Sequence, residues 1–214
     1  HWIIQCIGRD GNALLGIGPK PDGTIDAASV VRLKELGAWL KVHEDAVYGT
    51  RGGPWLPGEW GVSTRKGDKA YLFIERVGSE TLRLPSLGLA VKSAKVIGGS
   101  ALAVEEANGQ VTFKLPAAQR KPIATVIEVT LAGDAMALPV KEVPAPRNLS
   151  RGKPVEVSSF WAGRPELDKS HITDGNSGSI WATEEKARSG FVTVDLGQPA
   201  SISAVRISEG PYTR

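Results

Sequence analysis

From Trp60 the apolar residues of this chain take up a period of two, in short runs broken by glycine, proline and asparagine. That spacing places alternate side chains on opposite faces of a strand and leaves little room for helix. Residues 61–64 and 70–74, joined by the turn Lys66-Gly67-Asp68, read as a hairpin. Residues 81–84, 94–97, 102–104 and 111–115 follow as strands, and 124–131 is the longest. The pattern predicts a compact antiparallel β-sandwich over residues 59–138. Tyr71, Phe73, Val111, Phe113, Val126 and Val129 are its expected buried residues.

The preceding residues follow other periods. Residues 2–7 are an apolar run read as the last turns of a helix, with Cys6 as a buried, inert thiol. Residues 13–17 are uniformly apolar between turn signals, which predicts a strand buried on both faces of a parallel sheet. Thr24 or Asp26 caps a helix carrying Val30, Leu33, Leu36 and Leu40 at helical spacing. Helix, strand and helix in this order make one closing unit of an α/β layer, which cannot cover its own apolar faces. Residues 43–58 read as a loop. Residues 139–147, with three prolines, read as an extended linker. A second β segment is expected in residues 155–159, 191–196 and 202–207. Both ends read as cut inside structure, so the chain is expected to be a piece of a longer protein.

Charge and composition exclude several functions. Twenty-six lysines and arginines against 23 acids leave a formal charge of only +3, and no basic stripe is interleaved with aromatics, so no nucleic-acid partner is expected. No apolar run approaches the ~20 residues of a membrane span. A single cysteine allows no internal disulfide, and no Cys/His spacing suits zinc. No targeting signal is visible. The acids Asp10, Asp22 and Asp26 fall in turns or caps, Asp68 at a hairpin tip, and Glu105 and Glu106 on a solvated strand edge. His43 follows a helix C-terminus, where it favours the dipole.

Residues 12–19 (Asn-Ala-Leu-Leu-Gly-Ile-Gly-Pro) with Pro21-Asp22-Gly23 resemble the final barrel strand of the α-L-fucosidases of glycoside hydrolase family 29. The run Arg32-Leu33-Lys34-Glu35-Leu36-Gly37-Ala38-Trp39-Leu40 is similar to the family's next helix, and residues 46–51 and 61–67 fit as well. The resemblance continues through the β region to about residue 140. Gly16 departs from the family's usual Asn. The resemblance implies that residues 1–58 are the end of a catalytic (β/α)8 barrel, carrying its last strand and helix. It implies a retaining exo-α-L-fucosidase acting on fucosylated glycans, with two carboxylates about 5 Å apart and no catalytic cofactor. By the same resemblance both carboxylates belong to a missing N-terminal barrel of the same protein, so no catalytic residue is assigned in this chain. A secreted or periplasmic location is implied for the parent.

Residues 148–150, 155–159, 172–176, 179–183 and 192–197 resemble a discoidin, or coagulation factor 5/8 type C, domain, a fold shared with carbohydrate-binding modules. Residues 148–214 would be its first half, with Trp181 in the core. The chain would then be mostly β overall. The resemblance implies a structural calcium on Asp174, Asn176 and Ser179, and hydrogen bonding within the turn is the competing account. It also places Trp161 and Arg164 near a carbohydrate-binding face, where Trp161 stacks on a sugar or packs inward. A non-catalytic carbohydrate-binding fragment is the alternative function.

Overall fold

The computed structural model describes residues 1–75, 80–145, 147–161, 163–176, 178–184, 186–202, 205 and 207. The chain divides into two compact units, His1–Ala145 and Pro146–Arg214. Among the described residues the chain is mostly β, its strands pair antiparallel, and no barrel closes.

Unit 1 opens with helix α1 (Trp2–Gly8), helix α2 (Ala27–Val42) and the short α3 (Glu44–Val47). Strands β1 (Arg51–Gly52), β2 (Val62–Lys66), β3 (Lys69–Ile74), β4 (Thr81–Pro85), β5 (Val91–Val96), β6 (Val104–Ala107), β7 (Gln110–Lys114) and β8 (Thr125–Leu131) follow. They form a five-stranded sheet in the order β1-β2-β3-β8-β5 and a three-stranded sheet in the order β4-β7-β6. The expected β2–β3 hairpin forms, with Val62 opposite Phe73 and Lys66, expected in the turn, paired opposite Lys69. The sixth strand begins at Val104, two residues later than the pattern suggests, because Leu102 donates its N–H to Ala94 and so belongs to the turn after β5.

Period-two alternation builds two cores on one sheet. Ala70, Leu72 and Ile74 of β3 and Ile127, Val129 and Leu131 of β8 face a core shared with Leu84, Val111 and Phe113 of the smaller sheet. The intervening residues Tyr71, Phe73 and Val126 point the other way, into a second cluster with Ile4 of α1 and Ala46 of α3. The central strands are therefore buried on both faces. Gly8 allows α1 to approach this closely, since a Cβ there would lie 2.3 Å from that of Val62. Trp55, in the expected loop, is fully buried: its indole N–H donates to the Pro85 carbonyl at 2.7 Å, and its ring meets Phe113 edge-on. At the sheet edge, the Glu106 carboxylate accepts the N–H of Val91 at 2.7 Å.

Three expectations are corrected in unit 1. Residues 13–17 form no strand. Leu14 is 90% exposed, because no neighbouring strand among the described residues supplies the backbone partners a buried strand requires. Helix α2 forms under an Asp26 cap that accepts the Ala28 N–H at 2.9 Å, yet none of its residues is fully buried. Cys6 is half-buried. Part of the proline-rich stretch is pinned down: Lys141 pairs with Trp55, and Val143 rests on the first core.

Among its described residues unit 2 has one two-stranded antiparallel ribbon, β9 (Val155–Val157) with β10 (Val192–Val194), and two short 3-10 turns, Pro165–Leu167 and Lys169–Ile172. Its interior is thin. Thr173 is buried, its hydroxyl donating to the Lys153 carbonyl, and Trp181 is only half-buried, its indole N–H donating to the Ser159 carbonyl at 3.2 Å. Of the third expected strand, residues 203, 204 and 206 lie outside the described residues, and 202, 205 and 207 are in no strand.

Candidate functional site

In unit 1 the acids hold the structure together. Helix α1 ends in a reversal at Asp10, whose φ of 64° is left-handed, and whose N–H donates to Ile7 while that of Gly11 donates to Cys6. The Asp10 carboxylate accepts from Arg51 Nε at 2.8 Å and Nη2 at 2.6 Å, and from the Gly52 N–H at 2.8 Å. These donors, Arg51 foremost, hold its carboxyl down to about 2. Asp22 accepts from the Thr24 hydroxyl and N–H, Asp26 caps α2, and Glu105 pairs with Lys114. Burial would raise the Glu128 carboxyl, but hydrogen bonds from Lys69 and Lys95 outweigh it and keep the group below the usual range. Tyr71, directly opposite Glu128, is pushed up to about 12 by burial first and by that carboxylate second. His43 closes α2: its Nδ1 lies 2.8 Å from the Trp39 carbonyl and its ring stacks on the Trp39 indole.

In unit 2 the structure brings Trp161 and Arg164 together. The Arg164 N–H donates to the Trp161 carbonyl, closing a tight turn, and the guanidinium carbon lies 5.3 Å from the indole centroid. Arg164 also pairs with Glu166 at 3.2 Å. One face of the half-buried indole is thus covered by a cation that is itself paired with a carboxylate. Glu166 carries no signal in the sequence beyond its spacing of two from Arg164, and sequence reasoning missed it.

The turn that carries Asp174, Asn176 and Ser179 is folded on itself. Asp174 accepts from the Asn176 N–H at 2.8 Å and the Ser179 hydroxyl at 2.6 Å; Asn176 Oδ1 accepts from the Gly178 N–H at 2.9 Å. The Ser179 hydrogen bond, then the Asn176 one, lowers the Asp174 carboxyl. Ser177 lies outside the described residues. Calcium takes six to eight oxygens. This turn offers one carboxylate whose oxygens already accept its own donors, and among the described residues no three His, Cys, Asp or Glu side chains gather. As folded, the three residues do not fit a calcium site, and hydrogen bonding alone accounts for the turn.

Comparison with known proteins bears on unit 1. Residues 1–45 match the Alpha-L-fucosidase family model. The likeness is to the α-L-fucosidases. Plasma alpha-L-fucosidase of Homo sapiens is 42% identical over 48 residues, 22% of this chain and 10% of that protein. The fucosidase of Branchiostoma floridae is 33% identical over 93 residues, 39% of this chain and 20% of its own length. Among solved structures, alpha-L-fucosidase isoenzyme 1 from Paenibacillus thiaminolyticus has 32% identity and a TM-score of 0.55, covering 60% of this chain and 32% of that one. A Thermotoga maritima alpha-fucosidase in complex with fucose has 26% identity and a TM-score of 0.51, covering 59% and 32%. The chain spans about a tenth to a fifth of the curated fucosidases it matches. The chain is thus similar to α-L-fucosidases in sequence over residues 1–45 and in fold over about 60% of its length.

Proposed function

We propose that this chain is the C-terminal portion of a retaining exo-α-L-fucosidase that removes terminal fucose from glycans, joined to a partial discoidin-like module that binds glycan. The observation that carries the reading is one likeness running through helices and sheets together. The family match covers residues 1–45, and 60% of the chain superposes on a fucosidase at 32% identity. Supporting it, Leu14, Leu15, Ile17, Ile25 and Val31 stand exposed in sequence that matches the family, as side chains do when their packing partner is another part of the protein. A retaining mechanism needs two carboxylates about 5 Å apart. On this reading they belong to an N-terminal barrel of the same protein, since Asp10, Asp22, Asp26 and Glu105 are each held in a local structural bond. Secretion or export to a periplasm belongs to the same proposal.

The second reading, a carbohydrate-binding fragment without catalysis, is favoured by Trp161 with its covering Arg164. The two readings separate on one experiment. The purified chain should release no phenol from an aryl α-L-fucoside, whereas the longer natural protein that contains it should. Turnover by the chain alone, abolished by replacing one of its own acids, overturns the first reading. A folded longer protein that releases no fucose overturns it too.

A further inference from the structure

We propose that unit 2 carries a second ligand site, a cationic pocket lined by Arg147, Arg151 and Lys153 that takes a sugar ring bearing a sulfate or carboxylate group. This goes beyond the fucosidase reading and does not depend on it. The pocket lies wholly within unit 2 and has a volume of about 180 Å³. Leu149 and Leu196 give it an apolar wall and Gln198 an amide.

Three cations line it. No acid occurs between Glu142 and Glu156 in the sequence. Among the described residues none of the three cations is in an ion pair. Two carboxylates stand close in the fold, and both are engaged elsewhere. Asp174, whose charge feels Arg151, is taken by Asn176 and Ser179; Asp195 accepts the Gly197 N–H at 2.7 Å. Arg151 lies close to Gly175, its Nε 2.9 Å from where a Cβ would stand. A concave site lined by one sign of charge concentrates counter-ions. Arginine's planar fork matches a carboxylate or a sulfate with two parallel hydrogen bonds.

Size and lining narrow the ligand further. A cavity of about 150 Å³ admits a benzene ring, so this pocket holds one six-membered ring. The leucines offer that ring an apolar face to lie on, which a bare inorganic anion cannot use. The ligand class is therefore an acidic sugar residue of a glycan.

The test is a titration of the full chain, followed by backbone amide shifts, with a monosulfated glucose, glucose and inorganic sulfate as separate probes. Shifts should centre on residues 147–153 and 196–198 with the sulfated sugar, and weaken as salt is added. Arg151→Gln and Lys153→Gln should each weaken binding by about two- to fivefold, the worth of a solvent-screened charge contact. Arg151→Lys should restore part of the loss. Both side chains are at least partly exposed, so unaltered melting of each variant checks the fold. Equal binding of glucose, or binding unaffected by both glutamine variants, overturns the proposal. Inorganic sulfate binding as tightly as the sulfated sugar shows an anion site without sugar recognition, and also overturns it.

Discussion

Asp10 joins two elements at a point where neither could end unaided. Its left-handed backbone stops α1, and its carboxylate receives the Arg51 fork and the Gly52 N–H on β1. Its carboxyl lies at about 2 in the folded chain against an ordinary 3.8. The stability it contributes is therefore present above pH 3.8 and lost as the pH falls towards 2. Asp10→Asn should lower the melting temperature by about 1–5 °C at neutral pH, the range for a solvent-screened pair in a unit of this size. The difference from the parent should shrink on acidification between those two values. A difference that stays constant down to pH 2 would show that the charge is not what holds the junction. Asp174 makes the opposite case, a carboxylate turned onto its own loop. Thermal melts in calcium and in excess chelator should coincide, while Asp174→Ala should melt lower in both; a chelator-dependent melt would restore the metal.

Strands β3 and β8 were legible because alternation survives even where both faces are apolar: Leu72 and Phe73 are both fully buried, yet they belong to different cores. Val126 faces the helices. Val126→Asp should place an unpaired carboxylate between α1 and the sheet, at a cost of more than about 4 kcal/mol, and unfold unit 1. A soluble variant with native near-ultraviolet dichroism would refute the two-faced sheet. Gly61 is a stricter point in the same hairpin: its φ is 135°, and a Cβ there would lie 2.1 Å from the Phe73 carbonyl oxygen. Residues 13–17 were misread for a physical reason. An apolar run records the company a segment keeps in the whole protein, and the described residues do not supply that company. Trp55 escaped notice because a residue in an irregular segment has no period; only its bonds to Pro85 and Ser63 reveal it as core. Trp161 and Arg164 were singled out by the resemblance that places them near a binding face, not as a pair in contact, whereas Arg147, Arg151 and Lys153 escaped because only the absence of acids around them was visible in the sequence.

Across the whole molecule, buried apolar surface is unevenly divided. Unit 1 holds both clusters; in unit 2 the described interior is Thr173 and a few half-buried side chains. Opening free energy follows buried contacts. Amide exchange should be slowest in residues 70–74 and 125–131 and near the intrinsic rate through most of 148–202. Equal protection of both units would mean that unit 2 has a core these residues do not reveal.

The bond from Glu106 to Val91 has a consequence for how copies of this chain meet. A sheet edge with free N–H groups is a template for a strand from another molecule. At the start of β5 that donor is already taken by a carboxylate, and the same strand carries Lys92 and Lys95, the latter paired with Glu128. An incoming strand would have to displace the acid and strip water from the lysines. Adding a sixth strand beside β5 through the backbone is thereby made costly.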